Sequence, residues 1–173
     1  VYTSTDGVGW SNGLPVDANT TAITLTNLAE GQLLLVRVTA TNAGGESFPT
    51  ETLAVRTSDG NSDSPAEILL VNGFDRLNRT MTIPDDDPVE GLNMRLWLNQ
   101  MNRYDYTLQH GLAISLPFNS ASNEAVSQGS VSLNDYKVVD WLLGEESTAD
   151  ETLDPTERAQ VTDFLTNGGA LFL

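Results

Sequence analysis

Two different periods of apolar residues divide the chain. From Val1 to Thr57, short runs rich in Thr, Val and Leu are separated by turn signals about every 8 to 12 residues. VYTST leads into Asp6-Gly7, a hairpin-type turn. TTAITLTNL, residues 20–28, alternates, with Ala22, Thr24 and Thr26 opposite Ile23 and Leu25, and reads as a strand. LLLVRVTATN, the Gly44-Gly45 turn and FPTETLAVRT follow. Short alternating strands joined by close turns predict an antiparallel sandwich over residues 1–57. TSDGNSDSP then carries too little apolar content to pack, and residues 58–65 read as a linker.

From Ala66 the pattern changes. EILLVNGFD is a continuous apolar run ending in Asn72-Gly73, the profile of a strand buried on both faces of a parallel sheet. Val89, Leu92, Leu96 and Leu98 to Met101 recur at helical spacing and predict a helix over residues 89–102. YKVVDWLLG repeats the buried-strand profile. Asp154-Pro155-Thr156-Glu157 combines an N-cap, a first-turn proline and a capping-box glutamate. The helix it starts has Val161, Phe164 and Leu165 on one face and ends at Asn167-Gly168-Gly169. ALFL begins another strand. Strand, helix, strand, helix, strand is the order of an open α/β sheet with right-handed crossovers, expected over residues 66–173.

Composition limits the functional classes. The 173 residues include 39% apolar side chains, enough for a core. Twenty-four acidic against eight basic side chains give a net charge of −16, which opposes nucleic acid and anionic lipid surfaces. The acid is spread along the chain and serves mainly solubility. With no cysteine there is no disulfide framework or thiolate metal site. No stretch reaches the roughly 18 apolar residues of a membrane span. No cofactor fingerprint is present, so neither a cofactor nor a metal site is expected. Val1 opens inside a strand-like run and Leu173 closes GGALFL without a turn, so both ends read as cuts in a longer parent chain.

Candidate chemistry gathers beyond the carboxyl ends of the two buried strands, where open α/β sheets bind ligands. The first end offers Asn72, Asp75 and Arg76; the second offers Glu145, Glu146, Ser147 and Thr148. Adjacent glutamates can share a proton, hold a hard cation, or only solvate a loop. Both can face one crevice with Asp75 and His110 if Gly144 ends the strand before them. Asp140, an acid inside the apolar run, needs a partner or partial exposure. His110 is the sole histidine, at a segment junction in YTLQHGLAI. It suits either general acid–base work or a structural hydrogen bond. FNSASNEAV reads as a polar loop carrying Ser122, Asn123 and Glu124, where Ser122 becomes a nucleophile only beside a base. Asp85-Asp86-Asp87 reads as a solvated turn ahead of the helix starting near Pro88.

LAEGQLLLVRVTATNAGGES resembles the later strands of a fibronectin type III domain, through Leu28, Arg37, Val38, Ala40, Asn42, Gly45 and Ser47. Leu34 stands where that family usually places its corner tyrosine. Such modules are spacers or binding platforms. VNGFDR, QHGLAI, SNEAV, DWLLGEEST and FLTNGGALFL resemble a module of large exported bacterial proteins loosely labelled xanthan-lyase-like, with a class I glutamine amidotransferase-like, flavodoxin-type sheet. In such folds a nucleophile follows the strand that ALFL begins, so any such residue would lie beyond Leu173. Together these resemblances imply a mixed fold: a partial all-β fibronectin III-like sandwich, then an α/β open-sheet domain. They also imply a secreted or cell-surface protein associated with polysaccharide or cell-wall processing. The alternative is a non-catalytic adhesion or carbohydrate-binding module.

Overall fold

The computed structural model describes residues 1–58, 60, 65–74, 83–95, 105–143 and 152–173. It is a mixed α/β structure built on one seven-stranded sheet. β1 (Tyr2–Ser4) and β2 (Leu33–Arg37) run antiparallel, followed by a small ribbon of β3 (Thr41–Asn42) and β4 (Gly45–Glu46). β5 (Leu53–Arg56) returns to pair antiparallel with β2, and β6 (Ile68–Asn72) is the first parallel strand. A separate hairpin of β7 (Ile83–Asp87) and β8 (Gly91–Arg95) precedes α1 (Tyr106–Ala113). β9 (Phe118–Ser122), α2 (Asn123–Ser127), β10 (Val138–Leu142), α3 (Pro155–Thr166) and β11 (Ala170–Phe172) complete the chain.

The sheet order is β1-β2-β5-β9-β6-β10-β11. β9, β6, β10 and β11 are mutually parallel, as the two continuous apolar runs predict. β5, already paired with β2 on its other side, joins this group antiparallel through Arg56 opposite Phe118. The sheet therefore runs across the change of period at 58–65. Within residues 1–57 the strands form one edge of this sheet plus the short ribbon, and a second packed layer is not among them.

Strand alternation sorts the side chains into two cores. On one face Leu69, Val71, Ala121, Val139 and Trp141 meet Val126 of α2 and Val161 and Phe164 of α3. On the other, Leu33, Leu35, Ala54, Leu70 and Phe118 meet Leu108 of α1, with Ile114 just beyond it. The strand runs are apolar on both sides because both faces are covered. At the start of α3, Asp154 accepts from the Glu157 N–H at 2.7 Å while Glu157 accepts from the Asp154 N–H at 2.8 Å, the reciprocal capping box expected there. No described helix is long and apolar enough to cross a membrane.

Four local expectations are corrected. Among the described residues 5–32 no strand forms, so TTAITLTNL does not pair. Asn27 adopts φ 61°, which breaks an extended run, and Ile23 and Leu28 remain exposed without a sheet to bury them. Residues 89–95 are turn and strand rather than helix, and 96–102 lie outside the described residues. Pro88 and Gly91 (φ 78°) flank a tight hairpin turn there, and Val89 and Leu92 are exposed, so their helical spacing meets no core among the described residues. Asp85–Asp87 are accordingly strand residues of β7, not a turn before a helix. FNSASNEAV is strand β9 followed by α2: Asn119 donates to the Tyr136 hydroxyl, Ser120 bonds the Ala54 backbone across the sheet, and Ser122 caps the helix.

Candidate functional site

The registers align the carboxyl ends of the three central strands, bringing Asn72 level with Ser122 on one side and with Leu142 on the other. β6 connects to β9 through α1 on one face, and β9 connects back past β6 to β10 through α2 on the other face. The connections thus reverse direction between β6 and β10, and such a reversal leaves a crevice that neither helix fills.

Two expected ligand positions on this rim are engaged in structural bonds. Asn72 is fully buried and its Nδ2 donates to the Glu51 carboxylate, while its Oδ1 has no partner among the described residues. Ser122 is the N-cap of α2, its hydroxyl accepting from the Ala125 N–H at 3.4 Å. Asn123 and Glu124 form the first turn of the same helix, where a carboxylate complements the exposed N–H groups. Ser122 also sits two strands from β10, roughly 10 Å away at normal strand spacing.

The cleft itself is built around a pair that spans 30 residues of chain. Period-two alternation places Asp140 on the α1 face of β10, opposite to Val139 and Trp141. His110 lies in the middle of α1, not at a segment junction, because that helix runs through to Ala113. Its Nδ1 stands 2.7 Å from Asp140 Oδ2. Facing an ionised carboxylate, Nδ1 is the donor, and whenever the ring is neutral this tautomer keeps the lone pair on Nε2. The histidine side chain is 33% exposed and that of Asp140 only 12%. Asp140 Oδ1 is buried with no partner among the described residues, so His110 is the sole hydrogen-bond partner seen for this carboxylate.

Around the pair is a cleft of about 500 Å³. Phe74, just past β6, and Tyr106, at the start of α1, form its aromatic edge, with ring centroids 5.0 Å apart and planes tilted by 49°. Leu142 and Leu143 at the end of β10 and Phe172 of β11 supply apolar wall. A largely apolar hollow with a few convergent polar atoms is the usual form of a small-molecule site. An imidazole held at Nδ1 by a carboxylate can accept or deliver a proton at Nε2, in the manner of the histidine–aspartate part of hydrolase triads.

Asp75, Arg76, Glu145, Glu146, Ser147 and Thr148 lie outside the described residues, and with them the expected crevice shared by the two glutamates, Asp75 and His110. Among the described residues no group of three or more His, Asp or Glu side chains gathers to hold a metal ion. Asp140 is the member that sequence reasoning passed over as a site residue. Its signal is partial: an acid inside VVDWLL needs a partner or partial exposure, but the run does not say which residue supplies it. No protein-family model, curated protein or solved structure matches the chain.

Proposed function

We propose that this chain belongs to an exported, secreted or cell-surface bacterial protein that acts on a polysaccharide or cell-wall polymer, with His110 and Asp140 as its proton-handling pair. The carrying observation is the position of that pair, in an aromatic-edged cleft where the strand connections reverse. Aromatic rings suit the apolar faces of sugar rings, and an oriented imidazole suits proton transfer to or from a hydroxyl. The chain order of β6, β9, β10 and β11 within the sheet is 2-1-3-4, which supports a flavodoxin-type, amidotransferase-like domain over residues 66–173. The neighbouring order β1-β2-β5 supports a fibronectin III-like origin for residues 1–57, since the sandwich family groups its third, sixth and seventh strands in this way.

The test is a comparison of the natural chain with His110→Gln and Asp140→Ala on neutral and acidic polysaccharides and on peptidoglycan. Binding is read by calorimetry and cleavage by release of new chain ends. Loss of about 10²-fold or more in turnover, with binding retained, is the expected result for His110→Gln. Equal turnover by both variants and the natural chain would remove the pair from the chemistry. A second reading, a non-catalytic adhesion or carbohydrate-binding module, is favoured by the commitment of Ser122 to a helix cap and of Asn72 to Glu51. It predicts polymer binding with no cleavage by any of the three proteins.

A further inference from the structure

The helix that carries His110 is not self-supporting. α1 has eight residues, and isolated helices shorter than about 12 residues are marginal in water. Its N-cap residue Asp105 makes no side-chain cap bond. The helix is instead held at both ends by residues 52–56. At its start, the buried hydroxyl of Thr107 donates to the carbonyl of Thr52 at 2.7 Å. At its end, Arg56 donates from Nη2 to the Gly111 carbonyl at 2.8 Å and from Nε to the Ile114 carbonyl at 2.9 Å. The third arm of the same guanidinium donates from Nη1 to the Gly31 carbonyl at 2.9 Å. Ile114 N–H in turn donates to the His110 carbonyl, so the arginine grips the turn that His110 begins.

Helical spacing turns this grip into orientation. Thr107 and Gly111 are four residues apart and share the buried face towards β5. Tyr106 and His110 are also four apart, and lie one residue, roughly 100° of rotation, from that face. Fixing the first pair therefore fixes the direction of the second. A planar fork that bonds three carbonyls also resists rolling in a way that a single point donor does not.

We propose that β5 is a positioning element for the cleft: Arg56 and Thr107 set the roll of α1 and so hold His110 Nδ1 against Asp140. Residues 52–56 then belong to the working site instead of to a spacer. The inference rests on the reading of His110 and Asp140 as the working pair, but its test needs no substrate. The chain has one histidine, so its imidazole ¹⁵N signals are unambiguous and report which ring nitrogen bears the proton when the ring is neutral. In the natural chain the Nδ1–H form should dominate. Asp140→Ala is the control that abolishes this dominance.

Arg56→Gln should shift the balance towards the control by about threefold or more, and Arg56→Lys should fall between the two. Thr107→Val, which removes one hydroxyl, should move it in the same direction. A folded Arg56→Gln protein with the natural imidazole signature would reduce Arg56 to a purely structural residue and overturn the proposal. Should Arg56→Gln fail to fold, an unchanged signature in Thr107→Val overturns it equally. Failure of the functional reading looks different: polymer turnover survives Asp140→Ala while the imidazole signature still responds to Arg56.

Discussion

Asp140 shows how a single residue can go against its surroundings and still be accommodated. Burying a carboxylate in a strand is costly, and His110 is the only hydrogen-bond partner it has among the described residues. Removing that partner alone should cost more than removing both. His110→Leu is expected to lower stability by about 1–3 kcal/mol, the cost of leaving a buried acceptor unmet. His110→Leu with Asp140→Leu should recover much of the loss, because an apolar pair of similar size is often neutral there. Urea denaturation of the two single variants and the double variant checks this, and strictly additive losses would refute it. A second carboxylate reports on pH. Asp6 accepts from the Val8 and Gly9 N–H groups and from the Ser4 hydroxyl, and these bonds lower its pKa below the ordinary 3.8. With the folded value depressed, its contribution to stability is present above 3.8 and fades as the pH falls through the lowered value. Carboxyl ¹³C titration of Asp6 should therefore give a midpoint below that of a free aspartate, and in Ser4→Ala the midpoint should rise.

At the scale of elements, space and caps decide. A Cβ on Gly111 would lie 2.8 Å from Phe118 Cζ and 3.1 Å from Leu33 Cδ1. Both side chains are in the core, with Phe118 fully buried. Alanine is the better helix former by about 1 kcal/mol, but forcing extra volume into a packed core costs about 1–3 kcal/mol. Gly111→Ala should therefore be net destabilising and should loosen α1, lowering the thermal midpoint; a raised midpoint would show that the sheet face can yield. The capping box of α3 gives a simpler case. Asp154→Ala should cost about 1 kcal/mol, measurable by urea denaturation, because the Glu157 N–H loses its acceptor at a partly buried helix end. α3 was legible from four consecutive residues, since caps act locally. The hairpin of β7 and β8 was not, because Val89 and Leu92 have helical spacing yet stay exposed among the described residues.

For the whole molecule the decisive feature is the seam between β5 and β9. Besides the one aligned pair, it is crossed by Arg56 to α1, by Thr107 to Thr52, by Ser120 to the backbone of Ala54 and by Asn72 to Glu51. The bond from Thr107 to Thr52 is buried and the others are partly buried, where hydrogen bonds are costlier to break than in open solvent. Cutting the chain at a protease site introduced within residues 58–65 should leave the two pieces associated on gel filtration. The intact chain should also unfold in one cooperative transition. Independent elution of the pieces, or two separated transitions, would mean that the seam contributes little.

What the sequence determined by itself is what short-range rules govern. Continuous apolar runs marked β6 and β10 as doubly covered strands, the Asp-Pro-Thr-Glu cap began α3, and the alternation in VVDWLL put Asp140 on the face opposite to Trp141. Only the tertiary structure decided which distant residues meet. Nothing in YTLQHGLAI says that His110 will face an acid 30 residues away, or that an arginine before the change of period will hold its helix. Propensity and capping act over a few residues, and so they can be read along the chain. Strand order, register and helix roll depend on surfaces that exist only once the chain has closed on itself.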